Sequence, residues 1–97
     1  MQGITGKGYW FKIDTLSKAP TGEGIYMIMD RIHRPIFAGR GKIRERLTSH
    51  FNQQEPIDKR IWEREPRGYY REVCLNSKLR EKQLIEKYSP PCNKKPE

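Results

Sequence analysis

"GIYMIMDRIHRPIFAGRGKIRERLTSH", residues 24–50, is the stretch from which the rest of the chain is read. "GIYMIMD" is rich in strand formers, "RIHRP" is turn material and "IFAG" is a second short apolar run, so residues 24–39 predict an antiparallel hairpin. After Gly39 and Gly41 comes "KIRERLTSHF", in which Ile43, Leu47 and Phe51 recur every four residues and mark one face of a helix. Arg46 and His50 have the same spacing and share a neighbouring face.

Downstream, "NQQEP" breaks the chain and "IDKRIWEREP" reads as a short helix with Ile57, Ile61 and Trp62 turned inward. "GYYREVCL" alternates as a third strand. "NSKLREKQLIEKYS" is a second convincing helix, opened by Asn76 or Ser77 as its cap and stopped by Pro90 and Pro91. Upstream, residues 1–21 form an arm ahead of the main domain at 22–97, with "YWFKID" as a short extra strand or a packed segment and "SKAPTGEG" as a loop. The elements predict a single small α+β domain: a three-stranded antiparallel sheet flanked by helices.

Composition sets the boundaries of function. Ninety-seven residues fit one domain, and with 34% apolar against 33% charged residues the core is thin. Twenty Lys and Arg against twelve Asp and Glu give +8, which predicts a positive surface and a polyanionic partner, nucleic acid first. Cys74 and Cys92 stand far apart without a CxxC or HxxxH pair, which excludes a structural zinc site and suits reduced thiols. The first residues lack an apolar signal region, and no run approaches the roughly 18 residues of a membrane span, so a cytoplasmic protein is expected.

One carboxylate stands out on its helix. At about 100° per residue, Leu84, Ile85 and Tyr88 point to one side, and Glu81 falls among them, whereas Glu86 lies opposite, beside Lys82 and Gln83. An acid in an apolar stripe is costly unless a cation or hydrogen-bond donors meet it.

In this order the pieces resemble the GIY-YIG nuclease superfamily, whose members include the N-terminal domain of the excinuclease C subunit, homing endonucleases and restriction enzymes. The resemblance covers roughly residues 22–93. Gly24, Ile25 and Tyr26 match the first signature, and Phe37, Ala38 and Gly39 stand at the second. Arg46 and His50 lie in "RLTSH", Glu81 precedes "LI" in "EKQLIEKY", and Asn93 ends "PPCN". No piece is specific alone; their order and spacing together are.

The resemblance implies a metal-dependent endonuclease acting on DNA phosphodiesters in repair, restriction or mobile-element biology. Hydrolysis needs a deprotonated water and compensation for charge on the phosphate. By resemblance, Glu81 is the single protein ligand of Mg²⁺ or Mn²⁺, a hard cation that keeps most of its waters. Arg46 holds the scissile phosphate, for which a planar, permanently charged fork is suited. Tyr26 is the general base, and since a phenol ordinarily titrates near 10, the positive charge of Arg40, Lys42, Arg46 and the metal is expected to favour its phenolate. His50 accepts a hydrogen bond from Tyr26 or orients it. Arg40, Lys42 and Arg44 contact the nucleic-acid backbone, while Gly24, Phe37, Gly39 and Asn93 support the site. His33, in the hairpin turn, reads as a surface residue.

Two features qualify the resemblance. The second signature normally carries a tyrosine, and this chain has Phe37; that departure leaves open a non-catalytic nucleic-acid-binding module that kept the fold. Cutting both strands of a duplex requires two active sites or the repositioning of one, so a homodimer is compatible with the activity, and Tyr9, Trp10 and Phe11 offer an interface or stacking ground for unpaired bases.

Overall fold

A computed structural model describes residues 8–94. The elements in chain order are strand β1 (Tyr9–Trp10), helix α1 (Ile13–Leu16), strands β2 (Glu23–Asp30) and β3 (Pro35–Lys42), helices α2 (Ile43–Phe51) and α3 (Ile57–Glu63), strand β4 (Pro66–Val73), helix α4 (Ser77–Tyr88) and a 3₁₀ turn at Pro91–Asn93. The strands form one antiparallel sheet in the order β1-β4-β2-β3.

Strand β2 is central and buried from Gly24 to Asp30. Its side chains alternate between two cores: Tyr26 and Ile28 face Ile43, Leu47 and Ile61 from α2 and α3, while Ile25, Met27 and Met29 face Leu84 from α4. A strand covered on both faces needs apolar residues at nearly every position, which is why "GIYMIM" does not alternate with polar residues. The turn to β3 is tied by Asp30, whose Oδ1 accepts from the backbone N–H of Ile32 and of Arg34, with His33 in the left-handed region at φ 66°.

The sheet has four strands rather than the expected three. Tyr9 and Trp10 pair with Tyr69 and Gly68 and cover an edge of β4 that would otherwise stand open. Phe11 then turns inward, with ring centroids 5.3 Å from Phe51, 5.8 Å from Trp62 and 6.4 Å from Tyr69. Two residues are too few for a period-2 signal, which is why the sequence left this segment open between a short extra strand and a packed arm. Trp10 stays 64% exposed and Tyr9 stacks on Tyr69, so the three aromatics of this segment serve three environments.

Helix α4 starts after Asn76, which makes no side-chain capping bond; Ser77 instead donates to Glu23 Oε2. It ends at Tyr88, with Ser89 in the left-handed conformation before the prolines. The cysteines Cys74 and Cys92 are free. Among the described residues, no helix is long and apolar enough to cross a membrane.

Candidate active site

The site is built where β2 and β3 meet the start of α2. Tyr26 lies opposite Gly39 in the β2–β3 register. A Cβ on Gly39 would sit 2.3 Å from the Tyr26 hydroxyl oxygen and 2.5 Å from Cζ, so the phenol occupies the space that the glycine leaves. Gly41, at φ 127°, takes a backbone conformation that side-chain-bearing residues rarely adopt, and the Arg46 stem runs beside it, 3.1 Å from where its Cβ would be.

From α2, Arg46 and His50 reach the same region. His50 is fully buried, and its Nε2 lies 2.7 Å from the Tyr26 hydroxyl. Its Nδ1 lies 2.5 Å from Oδ1 of Asp58, which is itself fully buried on α3. A carboxylate only accepts, so Nδ1 carries a proton, and in the neutral imidazole Nε2 then accepts from the phenol O–H. The other Asp58 oxygen accepts the Glu55 backbone N–H at 2.8 Å. The backbone carbonyl of His50 accepts from Trp62 Nε1 at 3.0 Å, which fixes this turn of α2 against α3. The ring of Phe37 meets His50 edge-on at 5.2 Å and lies 6.4 Å from Tyr26.

Arg46 is 38% exposed, donates to Glu55 Oε2 at 2.9 Å and lies against the Tyr26 phenol. Ser49 also donates to Glu55, at 3.2 Å. Burial pushes the phenol well above its ordinary range, and the Arg46 charge and hydrogen bond recover only part of that shift. The expected positive field is thus present, but desolvation outweighs it in the protein alone.

Glu81 approaches from α4, its carboxylate 3.7 Å from Arg40 Nε and 27% exposed. Burial holds its carboxyl above the usual carboxylate range, against the pull of Arg40 and Arg46. Its charge is felt at Tyr26 as well. Tyr26, Arg46, His50 and Glu81 are therefore brought together, with Arg40 beside them. Lys42 lies exposed at the start of α2. Arg44 is half-buried, its Nε donating to the Ala19 carbonyl at 2.7 Å. Asn93 clamps the edge strand β3: its Oδ1 accepts the Ala38 N–H at 2.7 Å and its Nδ2 donates to the Ala38 carbonyl at 2.8 Å. His33 is exposed and hydrogen-bonded to the Tyr70 hydroxyl at 2.7 Å.

Sequence reasoning missed Glu55 and Asp58. Asp58 carries the signal that exposed Glu81: at 100° per residue it falls between Ile61 and Trp62 on α3, an acid inside an apolar stripe. Glu55, in the loop between two helices, has no periodic signal.

No protein-family profile matches the chain. It is 34% identical over 80 residues to UvrABC system protein C of Methanothermobacter thermautotrophicus, an alignment covering 78% of this chain and 14% of that protein's length. Among solved structures it is similar to the GIY-YIG N-terminal endonuclease domain of UvrC from Thermotoga maritima bound to its catalytic divalent cation, magnesium. That match has a TM-score of 0.69 at 28% identity and covers 86% of this chain and 100% of that one. A point mutant of the same domain matches at 30% identity with the same coverage and a TM-score of 0.69, and another at 28% with a TM-score of 0.71, covering 84% of this chain and 93% of that one.

Proposed function

The chain belongs to the GIY-YIG nuclease superfamily, and from that premise we propose that it is a metal-dependent endonuclease hydrolysing DNA phosphodiester bonds. The observation that carries the reading is the phenol–imidazole contact of 2.7 Å between Tyr26 and His50, flanked by Arg46, with the Glu81 charge felt at Tyr26 and the Arg46 charge felt at Glu81.

The donor set fits a hard divalent cation. Glu81 is a desolvated carboxylate whose ion pair with Arg40 is long, at 3.7 Å, so its charge is poorly compensated by the protein. One carboxylate with the remaining positions left to water and phosphate is the pattern magnesium favours. When bound, the cation supplies charge compensation for the phosphate and acidifies its water.

The chain's own groups do the rest. Arg46 exchanges its Glu55 partner for the scissile phosphate, keeping a carboxylate-like geometry at its fork. Because burial keeps the Tyr26 phenol protonated at neutral pH, it cannot wait as a phenolate. It takes a proton from water only as it yields its own to His50 Nε2, which lies within hydrogen-bond reach. Arg40 and Lys42 border this region and meet the nucleic-acid backbone, whose binding weakens with salt as counterions are released. Gly24 and Gly39 make room, Phe37 packs on the imidazole, and Asn93 holds β3 in place.

Nicking of supercoiled plasmid tests this. Glu81→Ala is expected to abolish Mg²⁺-dependent nicking while DNA binding survives. Wild-type nicking that persists in excess chelator, or full activity in the variant, defeats the proposal.

A further inference from the structure

We infer that Asp58 is a positioning residue for the reaction, the third member of a Tyr26–His50–Asp58 relay that receives the proton taken from the attacking water. The inference rests on the nuclease reading above. Its ground is geometric: three buried side chains from β2, α2 and α3 joined in line, at 2.7 Å and 2.5 Å, through the two nitrogens of one imidazole.

Each group has a task the others cannot do. In this relay the phenol takes the proton of the water, but burial keeps it protonated, so it cannot act as a base until it gives up its own proton. The imidazole can accept its proton, but only in the tautomer with Nδ1 protonated, and the resulting imidazolium lies in a fully buried site. Asp58 meets both needs, fixing the tautomer through Nδ1–H and placing a negative charge beside the imidazolium. This is the logic by which a carboxylate supports a histidine base in hydrolases. The Phe37 ring on β3 provides no hydroxyl here, so among the described residues it is His50 that stands within hydrogen-bond distance to accept from the phenol.

The step balances as follows. Water gives one proton to the Tyr26 oxygen while the phenol proton moves to His50 Nε2; the oxygen so released bonds to phosphorus. The bond from phosphorus to the leaving sugar oxygen breaks, and that oxygen keeps the electron pair and takes a proton from solvent. The imidazolium returns its proton through the phenol to water once product has left.

A purely structural reading of Asp58 is weaker, because a fully buried carboxylate is costly and one of its two oxygens is spent on the imidazole itself. A metal reading is weaker still. His50, Glu55 and Asp58 offer ligand atoms within 4.8 Å of one another. Yet 2.5 Å between Nδ1 and Oδ1 is a hydrogen bond, shorter than the roughly 2.9 Å between neighbouring ligands around an ion with bonds near 2.1 Å. Among the described residues, the titratable groups facing the imidazole are Tyr26 from β2, Glu55 from the loop after α2 and Asp58 from α3, with Arg46 of α2 paired to that Glu55; β3 places the Phe37 ring against it.

The test compares wild type, Asp58→Asn, His50→Gln and the double variant in plasmid nicking from pH 5 to 9. Asp58→Asn keeps shape but removes the charge and one of the two acceptors, so its single amide oxygen can serve the His50 Nδ1–H or the Glu55 N–H, not both. It is expected to fold, to nick about 10²–10⁴-fold more slowly at neutral pH, and to move the acidic limb of the rate profile to lower pH, because the imidazolium has lost its counter-charge. On the His50→Gln background it should cost nothing further. An unchanged rate and limb in Asp58→Asn, or a full additional loss in the double variant, overturns the relay while leaving the nuclease reading standing. A wild type that does not nick overturns both. Should Asp58→Asn fail to fold, nitrogen NMR of His50 in metal-free wild type decides: a proton on Nδ1 is expected, and a proton on Nε2 alone refutes the arrangement.

Discussion

Replacing Gly39 by Ala puts the site's geometry to a direct test. The added methyl would lie 2.3 Å from the Tyr26 hydroxyl oxygen, 2.5 Å from Cζ and 2.9 Å from Cε1. Ordinary contact begins near 3.4 Å, so the ring must retreat by about 1 Å. Tyr26 is fully buried against Phe37 and His50, so it has no free volume to retreat into. Overpacking of this kind costs about 1–3 kcal/mol, or roughly 5–20 °C in the melting temperature of a domain this small. A shift of about 1 Å also stretches the 2.7 Å bond to His50 beyond hydrogen-bond range, and misplacement on that scale costs about 10²-fold in rate. Thermal melts followed by circular dichroism give the first quantity, and plasmid nicking well below the lower midpoint gives the second. The double variant isolates the cause. Tyr26→Ala alone costs about 3–5 kcal/mol, and on that background Gly39→Ala should add no penalty because nothing is left to collide with. Tyr26→Phe should not relieve the clash, since Cζ remains. A Gly39→Ala protein with wild-type melting and nicking, or an equal penalty on the Tyr26→Ala background, refutes the reasoning.

Glu81→Gln should stabilise the metal-free protein at neutral pH. The folded-state carboxyl is held above its usual range by burial, so its ionisation opposes folding above that raised value, and the cost is relieved as pH falls through it. Melts in chelator at pH 7 and pH 4 check the sign: the variant's advantage should be present at the first and vanish at the second. In Mg²⁺ at a hundred times its Kd the wild type should gain about 2.7 kcal/mol, which the variant forfeits. Asn93→Ala removes both hydrogen bonds to the buried Ala38 backbone, and each orphaned group costs about 1–3 kcal/mol. Urea unfolding should show the loss, with nicking per folded molecule kept.

The hairpin, the two long helices and the third strand were legible because each carries a full period of its pattern. "GIYMIM" followed by "IFAG" could be little else than two paired strands, and α2 and α4 repeat apolar residues over two or more turns. Strand β1 was half legible, open between a short strand and a packed arm; its partner is β4, nearly sixty positions away, and only the assembled sheet shows that this edge needs cover. The direction of the Tyr26 shift was also hidden. Charge is visible in a sequence, but desolvation depends on what packs against the ring, and here burial exceeds the effect of Arg46.

The way the fold joins two faces of its sheet explains why the site needed both glycine and charge signals to be found. Tyr26 and Gly39 point to the side of α2 and α3, while Arg40, the next residue on β3, points to the side of α4 and meets Glu81. Helices packed on opposite faces of a sheet are held apart by its thickness, so their side chains share a site only at its end. That end is where Gly24 pairs with Gly41, and the two positions carry no side chains to keep the faces apart. The Arg46 stem lies in the space beside Gly41, and its charge is felt at Glu81 from the other face. Bulk at position 41 should therefore press on the Arg46 stem, 3.1 Å from where a Cβ would lie, and should displace Arg46 relative to Glu81, on a backbone that at φ 127° already favours glycine.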